Sequence, residues 1–403
     1  MYTLSAYVEI PDVKQSQLWF HPITGMKIGL NPELVLLTRC LSGDITAALH
    51  IDNEKMFSQS FICLFLEELI YRGFLVPQDS IGDEINWHQN RHPFKRQHQS
   101  FYQVPIALSD TLPEETDIVF FGVPYDDAAT HPGCRYGPNL LRSQSMSFAF
   151  RGDDHKGIYS LRDNKMVLKD TRCFDVGDLN LETIEYSERL IKLKNTIKHL
   201  PSSAVPVMIG GDHSYSYSAV SAACERNKNR PVTLLQFDSH LDLQTWPSLK
   251  KEGVDQVRHS NFVTHLLNDN TSLDVIQVGI REFQSLSENN DTVPDFPHER
   301  TSIFSDLSIS LDADKVISKL GCDKNIYISL DVDCLREITR TGYPASVGIT
   351  VDKLLFILHE VCSKNRVVGI DIMEFGANKS HDQHIREAEL INYILLCCLQ
   401  WIK

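Results

Sequence analysis

Short, mostly apolar runs recur along the chain at residues 117–124, 205–209, 232–237, 275–279, 326–330 and 367–370. Runs of that length without polar alternation are the pattern of strands buried on both faces, as in a parallel sheet. Between them, residues 215–224 and 351–362 carry helical spacing, residues 316–320 close another helix and Pro138 marks a helix start. The last segment, residues 385–401, repeats apolar positions at Ala388, Ile391, Ile394, Leu395 and Leu399. Such alternation predicts an α/β domain over residues 116–403, a parallel sheet in a three-layer α-β-α stack. Ligand sites in that architecture lie beyond the carboxyl ends of the strands, so the residues following each apolar run carry the functional information.

The first 80 residues have a different rhythm. Residues 4–10 and 18–28 hold short strand candidates, and Pro32 opens an apolar helix stopped by Gly43. Asp44 is placed to cap a helix over residues 44–50, and residues 57–71 set Phe61, Phe65, Leu66, Leu69 and Ile70 at helical spacing before Gly73. Residues 74–76 return to strand. This order predicts a small winged-helix-like α+β domain over residues 1–80. Residues 81–115 are polar, and His88, His92 and His98 lie among basic and amide side chains with little apolar structure to organise them. That segment is expected to be a linker and not a metal site.

Composition narrows the function classes. Of 403 residues, 42% are apolar and 23% charged, which are ordinary globular values. The formal net charge of -14 argues against binding a phosphate backbone, and suits a cationic small molecule or a basic peptide. Ten cysteines are scattered without a repeated C-x-x-C spacing, as expected of reduced thiols inside a cell. The opening Met1-Tyr-Thr-Leu-Ser-Ala-Tyr-Val-Glu-Ile10 has no basic head, and no apolar run reaches the roughly 18 residues of a membrane span. The expectation is a soluble cytoplasmic protein with no nucleic-acid or membrane partner.

Three phrases after apolar runs supply convergent ligands. Gly210-Gly-Asp-His-Ser214 contributes His213, Asp238-Ser-His-Leu-Asp242 contributes Asp238, His240 and Asp242, and Ser329-Leu-Asp-Val-Asp333 contributes Asp331 and Asp333. In the central phrase a strand period of two would point all three ligands the same way. Two imidazoles and four carboxylates, with no thiolate, suit two divalent ions sharing bridging carboxylates, manganese better than structural zinc.

These phrases, with Gly122-Val-Pro-Tyr-Asp126, Gly133-Cys-Arg-Tyr-Gly-Pro138, Gly342-Tyr-Pro344 and Asp371-Ile-Met-Glu374, resemble the ureohydrolase family that includes arginase, agmatinase, guanidinobutyrase and formiminoglutamase. The resemblance runs from about Asp117 to the C-terminus. It implies two Mn2+ held by His213, Asp238, His240, Asp242, Asp331 and Asp333, and attack of an activated water on a guanidinium carbon to release urea. It also implies that Asp242 passes a proton to the leaving nitrogen, that His259 relays protons and that Glu374 grips the guanidinium. Where free-arginine hydrolases hold the α-carboxylate and α-ammonium, this chain places Gln244 and Gln284, and Glu374-Phe-Gly-Ala377 replaces the familiar Glu-Val-Asn-Pro. An ammonium left without a counter-charge is disfavoured. The departures point to arginine side chains of a ribosomally made precursor peptide, converted to ornithine.

Leu37-Thr-Arg-Cys-Leu-Ser-Gly43 and Phe65-Leu-Glu-Glu-Leu-Ile-Tyr-Arg-Gly-Phe-Leu75 are similar to leader-recognition domains of the kind seen in the small quinone-cofactor chaperone family. That similarity implies that residues 1–80 bind the leader of the precursor as an added strand. Two alternatives stay open: a hydrolase of a small guanidino compound of the agmatinase or guanidinobutyrase type, and a non-catalytic peptide-binding metalloprotein. The oligomeric state is also open, a homo-oligomer being allowed.

Overall fold

In a computed structural model, which describes residues 2–10, 17–43, 57–148, 158–243, 256–283, 299–376 and 381–402, the chain divides into two units. One comprises residues 1–98 with 180–183, the other residues 99–179 with 184–403. The helix expected over residues 44–50 lies outside the described residues.

In the first unit, β1 (Tyr2–Leu4) pairs antiparallel with β4 (Leu75–Pro77), and β2 (Gln17–His21) forms an antiparallel hairpin with β3 (Met26–Leu30). Helix α1 (Pro32–Leu41) starts where Asn31 accepts the Leu34 N–H at 2.8 Å and Pro32 occupies the first turn. Helix α2 (Gln59–Tyr71) is capped by Ser58, and Gly73, at φ +81°, turns the chain back into β4.

The linker expected over residues 81–115 is not found. Helix α3 (Glu84–Arg91) and the short strand β5 (Phe94–Lys95) belong to the first unit, and His88 and His92 are buried there. Polarity misled because Glu84 and His92 find hydrogen-bond partners within the unit, while His88 packs its ring against His21 and Trp87. Glu84 accepts hydrogen bonds from Ser5 Oγ at 3.0 Å and the Ala6 N–H at 3.1 Å, Ser5 Oγ meets His21 Nε2 at 2.9 Å, and His92 Nε2 reaches the Tyr71 carbonyl at 2.7 Å. Residues 99–115 belong to the second unit, with Phe101, Tyr102 and Val104 in its core.

The second unit is built on parallel strands. They are β6 (Ile118–Val123), β9 (Cys173–Leu179), β10 (Val205–Gly210), β11 (Val232–Phe237), β12 (Asp274–Ile280), β13 (Thr301–Ser305), β14 (Asn325–Asp331) and β15 (Arg366–Met373), with a small antiparallel hairpin of β7 (Ile158–Ser160) and β8 (Lys165–Val167) outside the sheet. Their order is β13-β12-β11-β14-β15-β10-β6-β9, and every adjacent pair is parallel. Two groups of helices flank the sheet. Helix α4 (Gly137–Ser145) packs on α11 (His381–Trp401), which also meets α10 (Val351–Lys364), itself packed on α9 (Asp314–Leu320). Helix α5 (Tyr186–Lys198) packs on α6 (Ser216–Arg226), which meets α7 (Phe262–Asp269). A one-turn α8 (Asp306–Leu311) follows β13.

Strands β9 and β13 are not foreshadowed by apolar runs. In β9 the carboxylates of Asp175 and Asp178 break the pattern, yet both are buried because the Arg142 guanidinium pairs with them at 2.9 and 2.7 Å.

The imidazoles of His21 and His88 lie 4.4 Å apart, centroid to centroid, inside the first unit. Burial, then the neighbouring His88, pulls His21 down to about 3, and burial, then His92 and Arg91, pulls His88 down to about 4. Both are neutral when folded, whereas an exposed histidine titrates near 6.5. The unfolded chain therefore binds more protons below that pH, so the stability of this unit is intact above it and lost as pH falls. Hydrogen-exchange protection of the β2 and α3 amides is expected to drop between about pH 7 and pH 5. The substitution His88→Phe should flatten that dependence, and protection independent of pH would refute the linkage.

Candidate metal centre

All six ligand candidates converge at the carboxyl ends of β10, β11 and β14. The His213 Nδ1 lies 3.1 Å from Asp238 Oδ2, 3.2 Å from Asp242 Oδ2 and 3.3 Å from Asp331 Oδ2. The His240 Nδ1 lies 3.0 Å from Asp333 Oδ2 and 3.5 Å from Asp238 Oδ1. Two ligand groups result, His213 with Asp238 and Asp331, and Asp238 with His240 and Asp333. Asp238 is common to both and turns one oxygen toward each.

The convergence does not come from strand alternation. Strand β11 stops at Phe237, and the chain then turns, with the His240 N–H donating to Asp238 Oδ1 at 2.6 Å and Asp242 held at φ +49°. A turn brings the three side chains together where a continuing strand would have spread them along some 13 Å.

The carboxylates share a division of labour. Asp331 Oδ1 accepts the Asp333 N–H at 2.9 Å, leaving Oδ2 for His213, and Asp333 Oδ1 accepts from Ser239 N and Oγ at 3.1 and 2.8 Å, leaving Oδ2 for His240. One oxygen is anchored and the other is aimed. His213 Nδ1 is buried without a hydrogen-bond partner, although three carboxylate oxygens surround it. An orphaned lone pair facing carboxylates a ligand-to-ligand distance away fits a bound cation, and the nitrogen and oxygen donors fit a hard or borderline divalent ion.

The same residues face a cleft of about 430 Å³ whose lining includes His131, His240, Asp242, His259, Tyr343 and Glu374. His259 Nδ1–H donates to the Ala128 carbonyl, which leaves Nε2 as the lone pair, 3.4 Å from Thr130 Oγ1. Glu374 follows β15 in a left-handed conformation, φ +65°, and its Oε1 accepts the His213 N–H at 2.9 Å. Gln244 and Gln284 lie outside the described residues.

A model of the arginase family matches residues 116–399. The chain belongs to the arginase family. It is 27% identical over 294 residues to proclavaminate amidinohydrolase of Streptomyces clavuligerus, an alignment covering 70% of this chain and 88% of that protein. It is 28% identical over 275 residues to an agmatinase of Chromobacterium violaceum, covering 67% and 79%. Among solved structures, proclavaminate amidinohydrolase from Streptomyces clavuligerus superposes with a TM-score of 0.61 at 23% identity, covering 76% of this chain and 97% of that one. Among the described residues, no helix is long and apolar enough to cross a membrane.

Burial makes this arginase-family centre electrostatically severe. Burial, then the charge of Asp238, pushes Asp242 up to about 8, and burial, then Asp333 and Asp238, pushes Asp331 well above the carboxylate range. Burial would raise Asp238 as well, but the facing imidazoles of His213 and His240 outweigh it and hold Asp238 below that range. Burial, then Asp331 and Asp212, raises Glu374 well above its ordinary value. The cluster therefore favours any cation that can replace shared protons.

Residues behind the ligands went unnoticed in the sequence. His213 Nε2 meets Ser329 Oγ at 2.8 Å, and Ser329 donates onward to the buried Asp371 at 2.6 Å. With Ser329 committed to Asp371, His213 Nε2 carries the proton and Nδ1 is left free for a metal. Gln236 Nε2 donates to Asp238 Oδ2 at 2.7 Å and to Asp242 Oδ2 at 3.3 Å, while its Oε1 accepts from Gln277 Nε2 at 2.9 Å. The available signal was a glutamine inside each of two mostly apolar strands.

Substituting Ser329→Ala removes the group that fixes the His213 tautomer. Manganese affinity, measured by calorimetry, is expected to fall about tenfold, with the fold retained. Asp238→Asn, which weakens both ligand groups at once, should prevent binding of the full complement of ions. Unchanged affinity in both variants would refute the assignment of this cluster as the metal centre.

Proposed function

We propose that the protein is a manganese-dependent ureohydrolase that converts a small guanidino compound, of the agmatinase or guanidinobutyrase type, to an amine and urea. The observation that carries the reading is the pair of ligand groups sharing Asp238, opening with Glu374 into one cleft. Support for a small substrate comes from the cleft, whose volume of about 430 Å³ is that of a small-molecule site. The names of relatives support it too, among them an agmatinase and a human mitochondrial guanidino acid hydrolase, 25% identical over 317 residues.

The ligands would be His213, Asp238, Asp242 and Asp331 with His240 and Asp333. Two bound ions supply a hydroxide nucleophile at neutral pH and stabilise the charge that develops on its attack. The chain does the rest. Glu374 offers its carboxylate to parallel N–H donors of the planar cation and so orients the guanidino carbon. Asp242, which lines the cleft beside the ligand groups, can take a proton and hand it to the leaving nitrogen. His259 is kept neutral by burial and exposes Nε2 to the cleft, so it can relay protons between the site and solvent.

A second reading keeps the chemistry and changes the substrate to arginine residues of a precursor peptide, yielding ornithine residues. It is supported by the separate unit of residues 1–98, which falls outside the family match, and by β3, which among the described residues pairs only with β2. Residues 1–80 would then hold the leader as an added strand. Gln244 and Gln284 enter this reading as neutral groups suited to peptide amides.

Manganese-loaded protein should release urea from agmatine or 4-guanidinobutyrate, and Glu374→Gln should lower kcat/KM by at least about a hundredfold without loss of metal. Urea only from a leader-bearing arginine peptide, with a mass loss of about 42 Da per converted residue, would replace the first reading by the second. Full manganese occupancy with no urea from either substrate class would leave a binding protein.

A further inference from the structure

Residues 338–343 belong to no helix or strand, so their backbone N–H groups find no acceptors in a ladder of their own. Thr341, Gly342 and Tyr343 nevertheless line the cleft. The segment is pinned at two places. Near its start, Glu387 of α11 accepts the Thr339 N–H at 3.0 Å, the Thr339 hydroxyl at 2.7 Å and the Arg340 N–H at 2.9 Å. At its end, the Arg281 guanidinium donates to the Tyr343 carbonyl at 3.0 Å. The cleft-lining residues hang between these anchors. Glu387 is only 9% exposed, and a carboxylate is tolerated at such a place because donors meet both of its oxygens, Oε2 taking the two backbone N–H groups and Oε1 the hydroxyl.

The same segment braces Glu374, which reaches the cleft from a backbone conformation that non-glycine residues seldom adopt, φ +65°. The Glu374 N–H donates to the Gly211 carbonyl at 2.9 Å, and the Gly376 N–H donates to the Arg340 carbonyl at 2.8 Å. Between them, the Phe375 carbonyl lies so close over Gly137, in the turn of residues 133–137, that a Cβ at that glycine would come within 2.6 Å of it. Arg340 is therefore held through its N–H by Glu387 and holds Gly376 through its carbonyl. One residue links the C-terminal helix to the segment that carries the cleft carboxylate.

We propose that Glu387 is a positioning residue of the substrate cleft, which fixes residues 339–343 as its wall and, through Arg340, holds Glu374 where it receives the guanidino group. The proposal rests on the reading of Glu374 as the substrate carboxylate. The physical need is specific. A planar guanidinium is gripped by both oxygens of a carboxylate only when that carboxylate is held in place, and a small displacement of a positioning group is costly. Glu387 bonds to Thr339 and Arg340 and acts on the cleft only through them. Its loss should therefore weaken substrate binding and leave the metal in place.

The test compares Glu387→Ala, Glu387→Gln and Thr339→Val with the wild type, each as the full chain loaded with manganese. Glutamine can place its amide oxygen on the two backbone N–H groups and its NH2 on the Thr339 hydroxyl, whereas alanine takes the acceptor from all three donors. Amide exchange at Gly376, which bonds to Arg340 and not to Glu387, is expected to speed up about tenfold in Glu387→Ala while the amides of β11 and β14 keep their protection. On the guanidino compound the wild type hydrolyses fastest, KM in that variant should rise about fivefold with kcat changed less than about twofold and bound manganese unchanged. Glu387→Gln should stay within about twofold of wild type in both readouts. Thr339→Val removes the hydroxyl alone and keeps the carboxylate on both N–H groups, so it decides the matter should the alanine variant not fold, with Gly376 exchange expected about threefold faster. Unchanged Gly376 exchange in every folded variant overturns the proposal. So does an equal rise across β11 and β14, since Glu387 would then serve stability alone. An unchanged KM or a loss of manganese in Glu387→Ala also overturns it, as does a glutamine variant as impaired as alanine. Should the wild type hydrolyse no guanidino compound, the activity reading falls, and the exchange comparison still decides whether Glu387 braces the segment of Glu374.

Discussion

Mutual repulsion among Asp238, Asp242, Asp331 and Asp333, brought together at the ends of parallel strands, is the constraint to which the surrounding structure responds. Buried like charges are tolerated only when partners surround them. The sheet provides those partners locally: the Asp333 N–H for Asp331, the Ser239 N–H and hydroxyl for Asp333, the His240 N–H and the Gln236 amide for Asp238. Each of these donors is fixed by backbone or by a buried neighbour. What remains unsatisfied is a set of aimed oxygens and one imidazole nitrogen, so the negative field is concentrated where a cation would sit.

Backbone strain is spent in the same place. Asp242 and Glu374 are both non-glycine residues at positive φ, one within the ligand cluster and one accepting the His213 N–H. Such conformations persist only where neighbours over-determine them. For Glu374 the neighbours are Gly211, Arg340 and the turn of residues 133–137, where side chains on Gly137 or Gly211 would collide with the Phe375 or Tyr125 carbonyls. The glycines close to the site thus serve the placement of a carboxylate more than the turning of the chain.

The fold of the second unit was legible because its central strands, such as residues 205–209 and 326–330, are almost wholly apolar, as burial on both faces demands. His213, Asp238, His240, Asp242, Asp331 and Asp333 were legible because each closely follows such a strand. The route by which they meet was not legible: alternation was a reasonable inference for Asp238, His240 and Asp242, but a turn achieves the convergence. Residues 81–98 read as linker because Glu84, His88 and His92 are polar, and only their three-dimensional surroundings, hydrogen bonds for Glu84 and His92 and ring packing for His88, show that they are buried. Gln236 and Gln277 carried a faint signal as amides within apolar strands, whereas nothing in the order of residues shows that Ser329 bridges His213 and Asp371.

The strand register has a consequence for how the protein assembles. Phe237 stands opposite Leu330 and Asp331 opposite Met373, so Asp238, the first residue beyond β11, falls in one row with Asp331 and Met373, the last residues of β14 and β15. A slip of one residue would displace one ligand from its partners by about 3.3 Å, farther than a coordination sphere tolerates. Parallel sheets form slowly and offer many wrong pairings. An ion that binds only the correctly aligned row stabilises that alignment and no other, so the metal centre would also act as a proofreader of the sheet that builds it.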